Sequence, residues 1–381
     1  MTLLHNPSTM GGAERLAVDV AMALDRARYD SLFCAIKAPR TPTREAELRA
    51  AGVAYFPLDL GSIRDLRVVP TIARLLRRER VDILHAHLWD ANLVGVIAGR
   101  LAGTPVIVAH EHTWSYEGER FRVVTDRHVI ARAASTMVCP SEEDRRKMIE
   151  VERIPAQRIR VVPNGIPPLP ESSGADVRAE LGIPAAAQVL GAIAVLRAQK
   201  RLDVLIEALG LLVPRLTDPH LVIAGDDAGI GNLQRLEQLA ASRGLGERVH
   251  LIGRRSDIAD VLAAFDVACL SSDFEGMPLS VMEYMAAAKP IVATRVGGIP
   301  EIVEDGVEAL LVPRRDPAAL ASAAERLLLD PSLAASLGAA ARARQQRERS
   351  LGGLVERIES LYEELCGSRS TRRPAQPQSS T

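Results

Sequence analysis

The chain has 381 residues, 47% hydrophobic and 25% charged, the balance of a globular protein and too apolar for wholesale disorder. Its 47 basic and 48 acidic side chains give a formal net charge of -1, without the basic excess of a dedicated nucleic-acid binder. Cys34, Cys139, Cys269 and Cys366 form no C-x-x-C pair, which disfavours a zinc ribbon or disulfide framework and fits a reducing cytoplasm. No leader-like run opens the sequence, and its most apolar stretch, Ala185 to Leu196, falls short of the ~20 residues needed to span a bilayer. The expectation is a cytoplasmic protein.

In chain order, short aliphatic runs at 2–5, 31–37, 53–56, 81–86, 105–109, 135–139 and 159–162 read as strands. Amphipathic stretches at 13–24, 42–51, 65–79, 90–101, 117–133 and 141–150 read as the helices between them. Such alternation predicts βα units and a parallel sheet covered on both faces. The run from Pro163 to Gly174 holds Pro163, Pro167, Pro168 and Pro170 and reads as a linker. Alternation then resumes, with strands at 188–195, 220–225, 248–252, 266–270, 290–293 and 309–312. The predicted fold is α/β: two Rossmann-like, doubly wound domains, 1–165 and 166–345, facing each other across a cleft. A helix follows at 346–366, with Leu354, Ile358, Leu361 and Leu365 at helical spacing, and then a tail at 367–381 without apolar residues, expected to be disordered.

The densest cluster of candidate site residues is the run from Asp273 to Met285, which follows a strand and opens a helix. Gly276, Met277 and Pro278 shape a loop with free amides. The helix start at Leu279 and Ser280 presents unsatisfied N–H groups and a positive dipole end, a seat for a diphosphate. Glu275 in the loop and Glu283 about a turn into the helix can accept hydrogen bonds from sugar and ribose hydroxyls. Two glutamates eight residues apart also occur by chance, so the strand–loop–helix setting is what gives the pair weight.

These residues, with Pro290 to Glu301, Gly306, Gly11-Gly12-Ala13-Glu14, His85-Ala-His87, Glu111-His112, Val162 to Ile166 and Lys200, resemble the marks of the GT-B glycosyltransferases of family 4. The resemblance covers nearly the whole chain. It implies a retaining, metal-independent transferase that uses a nucleotide-diphosphate sugar, UDP- or GDP-linked, and a carbohydrate or lipid-linked acceptor. By that resemblance Glu275 and His112 are catalytic, meeting the transferred sugar. Gly12, Lys200, Arg197, Gly225, Gly276, Met277, Pro278, Leu279, Ser280 and Glu283 bind the donor; Gly11, Glu14 and His87 line the acceptor side. No cofactor and no metal are implied, and the C-terminal helix would cross back to the first domain. Family members usually carry an arginine five residues before the lysine, where this chain has Val195; Arg197 or Arg201 is then the replacement for the missing charge.

The competing expectations are a nucleotide-sugar 2-epimerase of the same architecture and a non-catalytic sugar-binding descendant. Four histidines at two neighbouring strand ends suggest a metal, against which stands the lack of acidic partners at ligand spacing. The stretch from Arg64 to Arg80 sets Val68, Ile72, Leu75 and Leu76 on one face and Arg67, Arg74, Arg77 and Arg78 on the other. It reads as a core helix with a solvated basic face, or as a peripheral contact with the inner membrane surface.

Overall fold

The structure, a computed structural model, describes residues 1–7, 11–37, 44–113, 119–227 and 231–370. It forms two compact units, Met1–Pro163 together with the chain from Leu351, and Asn164–Ser350. The chain from 163 to 176 has no helix or strand, only an isolated bridge between Ile166 and Ser350.

The first unit holds seven parallel strands: β1 (Thr2–Leu4), β2 (Leu32–Ala35), β3 (Ala54–Pro57), β4 (Ile83–His87), β5 (Val106–His110), β6 (Thr136–Cys139) and β7 (Ile159–Val161). Their order across the sheet is β3-β2-β1-β4-β5-β6-β7. The second unit holds β8 (Gln188–Ile193), β9 (Pro219–Ala224), β10 (Val249–Leu251), β11 (Val267–Leu270), β12 (Ile291–Thr294) and β13 (Leu310–Val312), ordered β10-β9-β8-β11-β12-β13. Both orders are Rossmann orders. The near-continuous apolar runs follow from burial of each sheet on both faces; all residues of β5, β6, β9, β11 and β12 are buried.

The helix Val68–Arg78 packs on the first core through Val68, Ile72, Leu75 and Leu76, while Arg67, Arg74, Arg77 and Arg78 face outward, as the amphipathic pattern predicts. The expected helix at 117–133 is less regular. It runs Arg120–Thr125, widens into a π segment at Asp126–Ile130 and closes at Ala131–Ala133. The C-terminal helix departs from the expected 346–366. A break at Arg349 and Ser350 separates Pro331–Glu348 from Leu351–Ser370. The latter continues past 367, where a disordered tail was expected, because an established helix adds a hydrogen bond per residue; 371–381 lie outside the described residues. Within the first unit this helix buries Leu354, Ile358, Leu361 and Tyr362, with Leu365 only half-buried. Its Glu359 accepts from the backbone N–H of Asp25 at 2.8 Å and from Arg28 at 3.3 Å.

Candidate functional site

In an open parallel sheet the connections on either side of the order reversal leave in opposite directions, so a crevice opens at the carboxyl ends of those two strands. The reversal lies between β8 and β11 in the second unit and between β1 and β4 in the first.

The second unit gathers the candidate donor residues at its reversal. Lys200 ends a 3-10 turn (Ala198–Lys200) after β8, and the Glu275 loop follows β11. Lys200 Nζ donates to Glu275 Oε1 at 2.5 Å, and the Ser272 hydroxyl donates to the same oxygen at 2.5 Å. The ion pair is largely withdrawn from water, with side-chain exposures of 17% for Lys200 and 7% for Glu275. Other bonds fasten the two loops together: Ser271 Oγ donates to the carbonyls of Lys200 and Arg201, and the Asp273 N–H to the Gln199 carbonyl. Of the two arginines that could stand in for Val195, Arg201 is committed to Asp203 and Asp273. Arg197 is exposed and has no charged partner among the described residues.

Beyond the loop, the helix Leu279–Ala286 begins after Pro278 without a side-chain cap, so the amides of its first turn, which include Leu279 and Ser280, stay open to an anion. Glu283 is buried in its second turn. Its neighbour Tyr284 bridges the reversal, accepting from the Ile193 N–H at 2.7 Å and donating to the Cys269 carbonyl at 3.4 Å. Close backbone approach fixes the rest. A Cβ on Gly297, whose φ is +53°, would lie 1.7 Å from the Glu275 carbonyl oxygen, and Gly298 N–H donates to the Gly276 carbonyl. A Cβ on Gly225 would lie 1.8 Å from the Ala194 carbonyl oxygen, so only glycine lets β9 end beside the Val195 turn. Asn164 Nδ2 donates to the Met277 carbonyl at 2.9 Å. Sequence reasoning did not single out Ser272, Asn164 or Gly297 as site residues, although all three stand within or beside motifs it had marked.

In the first unit the helix Gly12–Ala23 starts directly at Gly12, and Glu14 folds back over Gly11, its Oε2 2.6 Å from where a Cβ on Gly11 would be. Next to it, period-two alternation puts His85 and His87 on one side of β4, and His110 and His112 on one side of the end of β5. The register pairs His87 with His110. All four imidazoles therefore stack, with centroids of neighbouring rings 4.2–5.3 Å apart. His87 Nδ1 lies 3.0 Å from His112 Nε2, and His85 Nε2 lies 3.1 Å from His110 Nδ1. On its other side His85 Nδ1 meets the Tyr362 hydroxyl of the C-terminal helix at 2.6 Å. Burial depresses all four imidazoles, His112 to about 4, so they are neutral at pH 7. His112 Nδ1 has no hydrogen-bond partner among the described residues and is the nitrogen left for a ligand. The sequence reading kept only His87 and His112; the H-x-H spacing in each strand was the signal for His85 and His110.

Ring nitrogens of His85, His87 and His110 lie within 4.8 Å of one another, a donor set suited to a borderline transition ion. Four of the ring nitrogens in this array are engaged in imidazole–imidazole hydrogen bonds, and the adjacent Glu111 accepts from Asn92 at 2.6 Å. His110 Nε2, like His112 Nδ1, has no hydrogen-bond partner among the described residues, so the stack keeps two open ring nitrogens.

Behind the stack, at the π segment, Asp126 is buried beside Glu111 and Glu152. Burial first, then the charges of Glu111 and Glu152, push its carboxyl up to about 9.

Two Rossmann-like units, each with polar side chains gathered where its strand order reverses, define the class of two-domain nucleotide-sugar enzymes. Residues 10–168 match the family described as Glycosyltransferase Family 4, and residues 175–344 match Glycosyl transferases group 1. A D-inositol 3-phosphate glycosyltransferase of Corynebacterium jeikeium is 30% identical over 330 residues, 80% of this chain and 78% of that one. An Escherichia coli UDP-Gal:alpha-D-GlcNAc-diphosphoundecaprenol alpha-1,3-galactosyltransferase is 26% identical over 319 residues, 81% and 82% of the two chains. Among solved structures, Anabaena HepE in complex with UDP aligns with TM-score 0.81 and 25% identity, covering 95% of this chain and 99% of that one. A glycosyltransferase from Rickettsia africae shares the fold with TM-score 0.82 at 19% identity, covering 96% and 98%. The chain belongs to the family 4 glycosyltransferases and is a GT-B glycosyltransferase. The epimerase alternative gains no support from these relatives.

The Asp126 environment has a measurable consequence. Its folded-state value of about 9 stands above the unfolded 3.8, so the unfolded chain releases this proton first. Its contribution to stability therefore falls as pH rises from about 4 towards 9. Asp126→Asn, which cannot ionise, should raise Tm at pH 8 more than at pH 5. A Tm difference between variant and wild type that does not grow with pH would contradict the assignment.

Proposed function

We propose that this glycosyltransferase acts with retention and without a metal, moving a sugar from a UDP- or GDP-linked donor to a carbohydrate or lipid-linked acceptor. The observation that carries the reading is the buried Lys200–Glu275 pair at the strand reversal, beside an uncapped helix N-terminus. It sets a cation, open amides and a carboxylate within one ligand's reach. The E. coli relative's diphosphate-linked lipid acceptor and the UDP held by the Anabaena protein support the donor and acceptor classes.

In this reading Lys200, Arg197 and the amides at Leu279 and Ser280 take the charge that develops on the departing diphosphate. Gly276, Met277 and Pro278 shape that cradle, and Gly225 keeps the neighbouring strand end clear of it. Glu283 holds the ribose hydroxyls and Glu275 the hydroxyls of the transferred sugar. His112, neutral through burial, hydrogen-bonds the sugar through Nδ1 and carries no charge. His87 orients it, and Gly11, Gly12 and Glu14 serve the acceptor side. The bond from the anomeric carbon to the diphosphate oxygen breaks, and the bond to the acceptor oxygen forms on the same face. The leaving phosphate oxygen takes the acceptor proton, so both charge and atoms balance.

A second surface favours a membrane-side location. The outward arginines of Val68–Arg78 neighbour exposed apolar side chains: Leu66 is 92% exposed just before the helix, and Arg77 reaches the carbonyl of Leu101, itself 56% exposed. Such a mixed basic and apolar face suits anionic lipid, where a lipid-linked acceptor would reside. Among the described residues no helix is long and apolar enough to cross a membrane, so the proposed contact is peripheral.

Calorimetry with free UDP and GDP tests the site. Glu283→Ala should weaken nucleoside diphosphate and donor alike by roughly 10- to 150-fold, the loss of a hydrogen bond to a charged group. Unchanged affinity would move the ribose elsewhere. Binding and turnover should both persist in EDTA; their loss there, with restoration by Mn²⁺, would make the reaction metal-dependent. Sedimentation with anionic vesicles at low salt tests the surface. Replacing Arg74, Arg77 and Arg78 by Ser should cost about 1 kcal/mol of membrane affinity per side chain, and a wild type that stays in the supernatant would leave these arginines merely solvated.

A further inference from the structure

We propose that Ser272 is a positioning residue that holds Glu275 aimed at the transferred sugar once Lys200 has left it for the diphosphate. The inference rests on the donor reading above and assigns a role to a hydroxyl that the reading leaves unused.

Glu275 Oε1 accepts from two donors, Lys200 Nζ and Ser272 Oγ, each at 2.5 Å. The two donors differ in freedom. Lys200 reaches the carboxylate along a flexible four-carbon stem, and its ammonium can turn to an arriving anion. Ser272 cannot move. It is fully buried, its own carbonyl accepts from Thr294 Oγ1 at 2.8 Å, and the next residue, Asp273, is tied through its N–H to Gln199 at 2.8 Å. The loop that follows is held from the other side by the close approach of Gly297 to the Glu275 carbonyl.

Paired as they are, Lys200 and Glu275 neutralise each other. A nucleoside diphosphate competes for the ammonium with more charge than one carboxylate offers, so its binding separates the pair. A buried carboxylate left without a donor is costly and free to swing. Ser272 supplies the remaining donor, fixes Oε1, and leaves Oε2, which has no hydrogen-bond partner among the described residues, for a sugar hydroxyl. Part of the diphosphate's binding energy is spent on breaking the ion pair, and what is released is a carboxylate already oriented.

The test measures UDP or GDP affinity by calorimetry and steady-state turnover with the donor, in Ser272→Ala, Glu275→Gln, Lys200→Ala and Glu275→Gln combined with Lys200→Ala. Ser272→Ala should keep nucleoside diphosphate affinity within about twofold, which also shows that the site is folded, and lower kcat about tenfold with little change in donor KM. Glu275→Gln should tighten free nucleoside diphosphate about three- to tenfold, because Lys200 no longer has to be pulled from a charge. That gain should vanish on the Lys200→Ala background. Wild-type kcat in Ser272→Ala overturns the proposal, as does parallel loss of affinity and kcat, which would make the hydroxyl a structural pin. A Glu275→Gln gain that persists without Lys200 also overturns it, since carboxylate–phosphate repulsion would then be the cause, and no gain at all would mean that the pair is not separated. The donor reading fails in a distinct way: Lys200→Ala would then bind nucleoside diphosphate as tightly as wild type.

Discussion

Lys200, the Glu275 loop, the Gly11–Glu14 turn and the His85–His87 strand end owe their place to one constraint, the reversal of strand order within a parallel sheet. Because β1 and β4, and likewise β8 and β11, send their connections in opposite directions, their carboxyl ends are left uncovered by helices. Residues that would be unremarkable elsewhere are gathered there while their backbone stays fixed by the ladder. Tyr284 reinforces this in the second unit, its hydroxyl joining β8 to β11 across the reversal.

The two units solve the problem of burying polar chemistry in opposite ways. In the second, charges are kept and matched: the Lys200 ammonium, the Glu275 carboxylate and the Ser272 hydroxyl compensate one another with little help from water. In the first, charge is removed. Four imidazoles depressed by burial stack as neutral rings, and the acid behind them, Asp126, keeps its proton. A matched pair can exchange partners when a charged ligand arrives, whereas a neutral stack offers shape and hydrogen bonds that hardly respond to one. The matched pair suits a donor that carries a diphosphate.

Much of this was legible in the residues. The alternation of apolar runs with amphipathic stretches gave the two sheets, because buried parallel strands must be apolar throughout, and Val68, Ile72, Leu75 and Leu76 turned inward as their spacing required. The Glu275 loop stood out because glycine and proline punctuate a strand-to-helix turn. What stayed hidden depends on contacts between distant segments. The pairing of Lys200 with Glu275 joins residues 75 apart, and that of His85 with Tyr362 joins residues 277 apart. The π segment at Asp126 answers to buried carboxylates that no local pattern announces. The C-terminal helix ends at Ser370 rather than 366 because a polar composition argues against a core, not against one more turn of helix.

The seat of that last helix also orders events at the ribosome. The first unit is discontinuous: Met1–Pro163 is completed only by the segment from Leu351, and the whole of Asn164–Ser350 is synthesised in between. The intervening unit is contiguous in sequence and can close on itself as it emerges. The amino-terminal sheet, made first, must wait. Until Tyr362 arrives, His85 lacks its phenolic partner and the apolar face later covered by Leu354, Ile358 and Leu361 stays open. A nascent chain of this protein therefore carries an incomplete first unit for as long as the second is being made.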